Sequence, residues 1–339
     1  MTEKRKCSLT GIRASGNPHI GNYFGAIRPA LERQSTHDCV YFVADMHALT
    51  TNKDPGLVAS TTLDLTAVWL AFGLDTSRHA FFRQSDVPMV TELAWYLSCC
   101  TGFGFLEKGH SFKDSLAKER EVNHGVFAYP VLMAADILIY DADLVPVGKD
   151  QKQHVEMARD MAGFFNAAWG ADVIKLPEVY IDEKVMSISG LDGRKMSKSY
   201  NNEIPIFCDE VTLKKKIMSI TTDSTPLEEP KSLSGTLIGE FYPLFAGEQR
   251  TRDLESRLQK GGMGWGHAKQ ELFEAADNFL RPFRQKYNEI RADKASLEKL
   301  LAEGAQKAWA LAEPMLNRVR KVVGFGPAYS CLKSIKEMR

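Results

Sequence analysis

Short apolar runs alternate with longer helical periods through the first half of the chain, and this alternation restricts the fold more than any other feature. Residues 6–12, 39–44, 79–82 and 144–147 are brief, apolar and bounded by polar or glycine-rich segments, as strands are. Helical periods at about 21–33, 57–72 and 151–165 lie among them, and a further helix is expected from Pro130 through 131–139. Strands separated by helices of this length require crossover connections, so the expected fold is α/β, a Rossmann-like parallel sheet. Two further β-like runs, around Val179 and Val185, lead to a loop at 189–199.

After Pro205 the pattern changes to longer amphipathic helices with lysine-rich faces, interrupted by the loop at 261–264 and by Pro314. With 339 residues two units are expected: 1–205, with a helical insertion at about 87–128, and a C-terminal α-helical domain, 206–339. Residues 87–106 are unusually apolar, with Trp95, Tyr96, Phe103 and Phe105, which suits core or a subunit interface. No apolar run is long enough to span a membrane, and the polar start runs straight into the first strand without a secretory signal, so the expected compartment is the cytoplasm. The six cysteines lack the paired spacing of a zinc or iron–sulfur site and read as reduced thiols, leaving no expected structural metal.

The net charge of zero conceals an asymmetry. Residues 281–339 hold thirteen Lys and Arg against six acids, +7, so the remainder carries −7. A basic end on an acidic body suits a polyanionic partner, and equally suits solvated helix faces. Arg318, Arg320 and Lys321 form the densest cluster and are the residues expected to touch phosphates.

Three segments carry chemistry. The glycine-rich turn after the first strand, Arg13-Ala14-Ser15-Gly16-Asn17-Pro18-His19-Ile20-Gly21-Asn22, lets backbone N–H groups and a helix start approach nucleotide phosphates, with His19 and Asn22 as added polar contacts. Lys195-Met196-Ser197-Lys198-Ser199 places cations and hydroxyls on a loop, a composition that holds phosphates and neutralises charge on a leaving pyrophosphate. Either segment read alone could be an ordinary turn or a solvated basic loop. Asp136 is a carboxylate among apolar helical neighbours; burial requires a partner for it, whether structural or a ligand.

The two loops, in this order, resemble the paired signature motifs of the class I aminoacyl-tRNA synthetases. The segments 129–138 and 145–151, with Gly21-Asn22-Tyr23 and Asp45-Met46-His47-Ala48, resemble the bacterial tryptophanyl branch in particular, and the likeness covers nearly the whole chain. It implies activation of L-tryptophan with ATP and Mg²⁺, followed by transfer to tRNA(Trp), in a homodimer that uses no DNA and no membrane. By the same resemblance, Asp136 accepts the indole N–H and Tyr129, Met133, Val145 and Val147 wall the indole. His47, Gln151 and Gly11 then contact the amino acid. Arg13, Ala14, Ser15, Gly21, Asn22, Gly148, Lys149, Asp150, Val185 and 195–199 fall to ATP, with Lys195, Lys198, His19 and Asn22 as the catalytic set. A tyrosyl enzyme of the same class shares the fold and the ATP motifs. A tRNA-independent nucleotidyltransferase or a non-catalytic RNA-binding paralogue shares fewer of these features.

Overall fold

A computed structural model describes residues 5–16, 18–109, 112–113, 122–148, 151–170, 172–181, 188–196 and 200–326. Five parallel strands form one sheet: β1 Cys7–Arg13, β2 Asp38–Ala44, β3 Ala80–Arg83, β4 Leu144–Val147 and β5 Glu178–Ile181. Their spatial order is β3-β2-β1-β4-β5. The order reverses between β1 and β4, and open parallel sheets bind ligands in the crevice beyond the strand ends at such a switch point. The expected run around Val185 lies outside the described residues.

Strand residues alternate between two apolar layers, because successive side chains point to opposite faces. Cys39, Tyr41 and Val43 of β2 enter one core, while Val40, Phe42 and Ala44 enter the other. Both faces are therefore covered, as a parallel sheet requires. The first helix, α1, spans 20–32 in three pieces: Ile20–Asn22, a π-helical turn Tyr23–Ile27, and Arg28–Glu32. Next come α2 Asp45–Ala48 and α3 Pro55–Ala71, the latter capped by Asp54, whose carboxylate accepts from the N–H groups of Gly56 and Leu57. The apolar stretch at 87–106 folds as α4 Met89–Ser98 and α5 Phe103–Leu106. Helix α6, His124–Leu138, begins six residues before Pro130, which was expected to open it. Its start is set by Asn123, whose side chain accepts from the Val126 N–H, and Pro130 rides inside the helix. Helix α7, Lys152–Trp169, ends on Gly170 in the left-handed conformation, φ 62°.

Four helices follow: α8 Glu210–Met218, α9 Leu237–Gln259, α10 Trp265–Ala292 and α11 Lys294–Val322. Gly261–Gly264 separates α9 from α10 as expected, whereas Pro314 lies within α11 and does not break it. Helix α11 straddles the β3 edge of the sheet: Leu297 and Leu301 join one core, Ala305 to Val319 the other. Gly304 marks the crossing, since a Cβ there would overlap the Phe81 carbonyl. The helix thereby covers an edge that would otherwise offer unpaired backbone groups. The junction near 205 is a change of secondary structure, and both apolar cores continue across it. Among the described residues no helix is long and apolar enough to cross a membrane.

Several cations of the basic C-terminal region meet the acidic body directly. Arg291 pairs with Asp64 at 2.5 Å, Arg318 with Asp141 at 2.7 Å, and Arg320 with Glu92 at 2.5 Å; the Lys307 ammonium donates to the Thr76 and Ser77 carbonyls. Arg320 is 4% exposed, and Glu92 also accepts from the Tyr96 hydroxyl. The expectation that Arg318, Arg320 and Lys321 form one phosphate-binding cluster is corrected at Arg320, which is buried against Glu92; Arg318 is exposed but paired with Asp141, and Lys321 is exposed.

Candidate active site

At the switch point a cavity of about 1230 Å³ opens between the carboxyl ends of β1 and β4. Tyr129, Met133 and Asp136 occupy positions i, i+4 and i+7 of α6, so one helical face presents all three to it. Val145 and Val147 share one face of β4 by the two-residue period, and both line the same space. His47 from α2, Gly148 and Gln151 also line it. Gly11 lies on its floor, where a Cβ would overlap the edge of the Phe42 ring, 2.4 Å from Cζ. Glycine there is thus dictated by the β2 side chain beneath it as well as by any ligand above.

Asp136 is buried, 3% exposed, and does not stand alone. Gln84 Nε2 donates to both carboxylate oxygens at 2.8 Å, and His47 Nε2 lies 2.8 Å from Oδ2. Burial raises the Asp136 pKa; hydrogen bonds from His47 and Gln84 oppose the shift, and the nearby Asp45 charge adds to it. Tyr129 and His154 form a second polar pair on the wall, hydroxyl to Nε2 at 2.6 Å. Gln84 was not visible as a site residue in the sequence. It is an ordinary polar residue following a strand, and only the fold brings it to Asp136, 52 positions away.

The first loop contributes Arg13, Ser15, Gly16, His19 and Asn22 to the lining. The His19 N–H donates to Asn22 Oδ1 at 2.9 Å, so the carboxamide closes the start of α1. Arg13 reaches back to the hydroxyls of Thr50 and Thr51, at 2.8 and 2.7 Å, which places a cation at the mouth. Ala14 is fully buried in the core and Gly21 sits within α1; neither lines the cavity, unlike their neighbours. Residues 188–196 form a tight hairpin: Ser189 bridges Lys195, Met196 N–H donates to Ile188 O at 3.0 Å, and the Ser189 N–H donates to Glu240 of α9 at 2.7 Å. Met196 turns inward onto the cavity, while Lys195 is exposed and outside its lining. Lys149, Asp150, Val185, Ser197, Lys198 and Ser199 lie outside the described residues.

The charges of the lining suit a polyanion beside an apolar side chain. Among the described residues it carries Arg13, Arg33 and Lys53, whereas Asp136 is its sole carboxylate, buried and already hydrogen-bonded. No group of three or more metal-ligating side chains occurs among the described residues.

Comparison with known proteins points to one family. The family model "tRNA synthetases class I (W and Y)" matches residues 2–281. A tryptophan–tRNA ligase of Fusobacterium nucleatum is 45% identical over 319 residues, covering 94% of this chain and 98% of the relative. One from Xanthomonas campestris is 46% identical over 327 residues, covering 93% of this chain and 76% of the relative. The structure of a Campylobacter jejuni tryptophanyl-tRNA synthetase complexed with ADP and tryptophan superposes with a TM-score of 0.88 at 44% identity, covering 94% of this chain and all of that one.

Proposed function

Because the chain belongs to the class I tRNA synthetases of the W and Y family, we propose that the cavity at the β1–β4 switch point activates L-tryptophan with ATP for transfer to tRNA(Trp). The observation that carries the reading is Asp136: a buried acceptor beside the apolar side chains Met133, Val145 and Val147, sharing one cavity with Arg13 and Lys53. The tryptophan carboxylate attacks the α-phosphorus of ATP in line, giving tryptophanyl-adenylate and pyrophosphate. The terminal ribose hydroxyl of the tRNA then attacks the adenylate carbonyl, releasing AMP. The nucleophile of the first step is already ionised, so the protein contributes positioning and charge stabilisation, with no general base required.

In this reading Asp136 accepts the indole N–H between walls formed by Tyr129, Met133, Val145 and Val147, and His47, Gln151 and Gly11 contact the amino acid. His19, Asn22, Ser15 and Gly148 hold the nucleotide, joined by Lys149, Asp150 and Val185. Lys195 and Lys198 stabilise the departing pyrophosphate, with Mg²⁺ on the phosphates as a component of the substrate. The region after residue 205, helical where it is described, receives the anticodon end of the tRNA. The enzyme works as a cytoplasmic homodimer, a reading supported by Trp95 and Phe103, which are 68% and 67% exposed within the apolar 87–106 stretch. The test is ATP–pyrophosphate exchange with each amino acid in turn, then charging of tRNA(Trp). Exchange driven by tryptophan alone is the expected result; equal exchange with tyrosine overturns it.

A further inference from the structure

We propose that Gln84 is a positioning residue that sets amino-acid specificity, its amide holding Asp136 as a fixed, ionised acceptor so that the site demands an N–H donor. The proposal rests on the tryptophan reading above and deepens it. Gln84 is fully buried and opens the 3₁₀ turn Gln84–Asp86 that follows β3. Its single Nε2 reaches both oxygens of Asp136 at 2.8 Å, while its Oε1 is buried with no hydrogen-bond partner among the described residues. A flipped amide would set that oxygen against the carboxylate. The orientation is thus dictated by Asp136, at the expense of leaving the amide carbonyl unsatisfied.

The turn carrying Gln84 is fixed from three directions. Ser85 donates its N–H and hydroxyl to the two oxygens of Asp45 at 3.0 and 2.5 Å. Arg83 Nε donates to Asp86, and the indole N–H of Trp309 in α11 donates to the Asp86 carbonyl at 2.8 Å. Such outlying bonds hold the Nε2 donor in place before any ligand arrives. An ionised carboxylate only accepts, whereas a protonated one also donates and would tolerate a ligand lacking N–H. The groups around Asp136 are Asp45 and His47 from α2, Gln84 from the turn and Tyr140 just beyond α6. Without Gln84, His47 is left alone to oppose burial and the Asp45 charge, and Asp136 moves toward the protonated form.

The experiment is ATP–pyrophosphate exchange by the full-length enzyme across a pH series, with tryptophan and with an analogue whose indole N–H is replaced by sulfur. Gln84→Met, similar in shape but unable to donate, is expected to raise the KM for tryptophan about 10- to 100-fold, the weight of a hydrogen bond to a charged group. The KM for ATP should stay within about twofold, and the preference for tryptophan over the sulfur analogue should fall by about tenfold or more. The acid limb of kcat/KM for tryptophan should move to higher pH. Gln84→Glu, of nearly the same shape, should lose exchange at high pH and recover as pH falls and its new carboxyl gains a proton to donate. A Gln84→Met enzyme with wild-type tryptophan KM and analogue preference, beside an Asp136→Asn enzyme that has lost both, overturns the role of Gln84 alone. So does equal loss toward ATP and tryptophan with a Gln84→Glu profile that does not recover. A wild-type enzyme that fails to exchange with tryptophan overturns the site reading and this role with it.

Discussion

Replacing Arg320 by alanine tests whether the basic C-terminal end is an internal clamp or a binding surface. The guanidinium is 4% exposed and donates to both oxygens of Glu92, at 2.7 and 2.5 Å, with a third bond to Asn317 at 3.1 Å. Breaking a buried ion pair costs about 3–5 kcal/mol, because one charge is left uncompensated. The Glu92 side chain is 29% exposed, so water recovers part of that penalty and about 2–4 kcal/mol is expected. Over 339 residues the unfolding entropy is about 0.7 kcal/mol/K, which turns this into a fall in Tm of about 3–6 °C. Glu92 supplies a control: burial would raise its pKa, but bonds from Arg320 and Tyr96 outweigh that and lower it. A lowered folded-state pKa contributes stability above the ordinary carboxylate value and loses it as pH falls through the folded one. The Tm gap between wild type and Arg320→Ala should therefore close on acidification, and should shrink in a Glu92→Gln background. Thermal unfolding across pH, run beside a tRNA-binding titration, decides it. An Arg320→Ala enzyme with unchanged Tm and lost tRNA affinity would refute the clamp.

Asp136→Asn should weaken tryptophan selection far more than ATP binding, and tryptophan should exceed tyrosine in exchange by about 10⁴ to 10⁵ in the native enzyme, as hydrogen-bonded sites can. Lys195→Ala is expected to slow adenylate formation by about 10² or more with little change in tryptophan affinity, read in single turnovers; weakened tryptophan binding with intact chemistry would reverse the assignment. Gly11→Ala should displace the Phe42 ring and lower both stability and tryptophan affinity, and a variant with native Tm and KM would show that the floor yields. Paired Trp95→Asp and Phe103→Asp changes should give monomers by sedimentation, and persistence of a dimer would move the interface elsewhere.

The class of fold was legible in the sequence by itself, and the family resemblance carried by its motifs pointed to the candidate site. Short apolar runs alternating with helical periods pointed to a parallel sheet, because crossover helices cover both faces of such strands. Tyr129 and Met133 entered the site through the family resemblance, and only the helix start at His124 sets Tyr129 on one face with Met133 and Asp136; the glycine-rich turn and the 195–199 loop pointed to phosphate chemistry only when read together. Pro130 and Pro314 were less informative than they looked, since tertiary packing can hold a helix together across a missing N–H; α6 and α11 both run through them. What only tertiary structure decided was pairing. A sequence lists charges without their partners, so a +7 segment reads equally as a polyanion site or as a clasp, and Arg291, Arg318 and Arg320 became clasps once Asp64, Asp141 and Glu92 lay opposite. Gln84 likewise acquires meaning only because β3 and α6 converge on Asp136, and Gly304 only because α11 crosses the Phe81 backbone there. Local pattern depends on neighbours in the chain and survives in the sequence, whereas a hydrogen bond spanning 52 residues depends on geometry that exists only after folding.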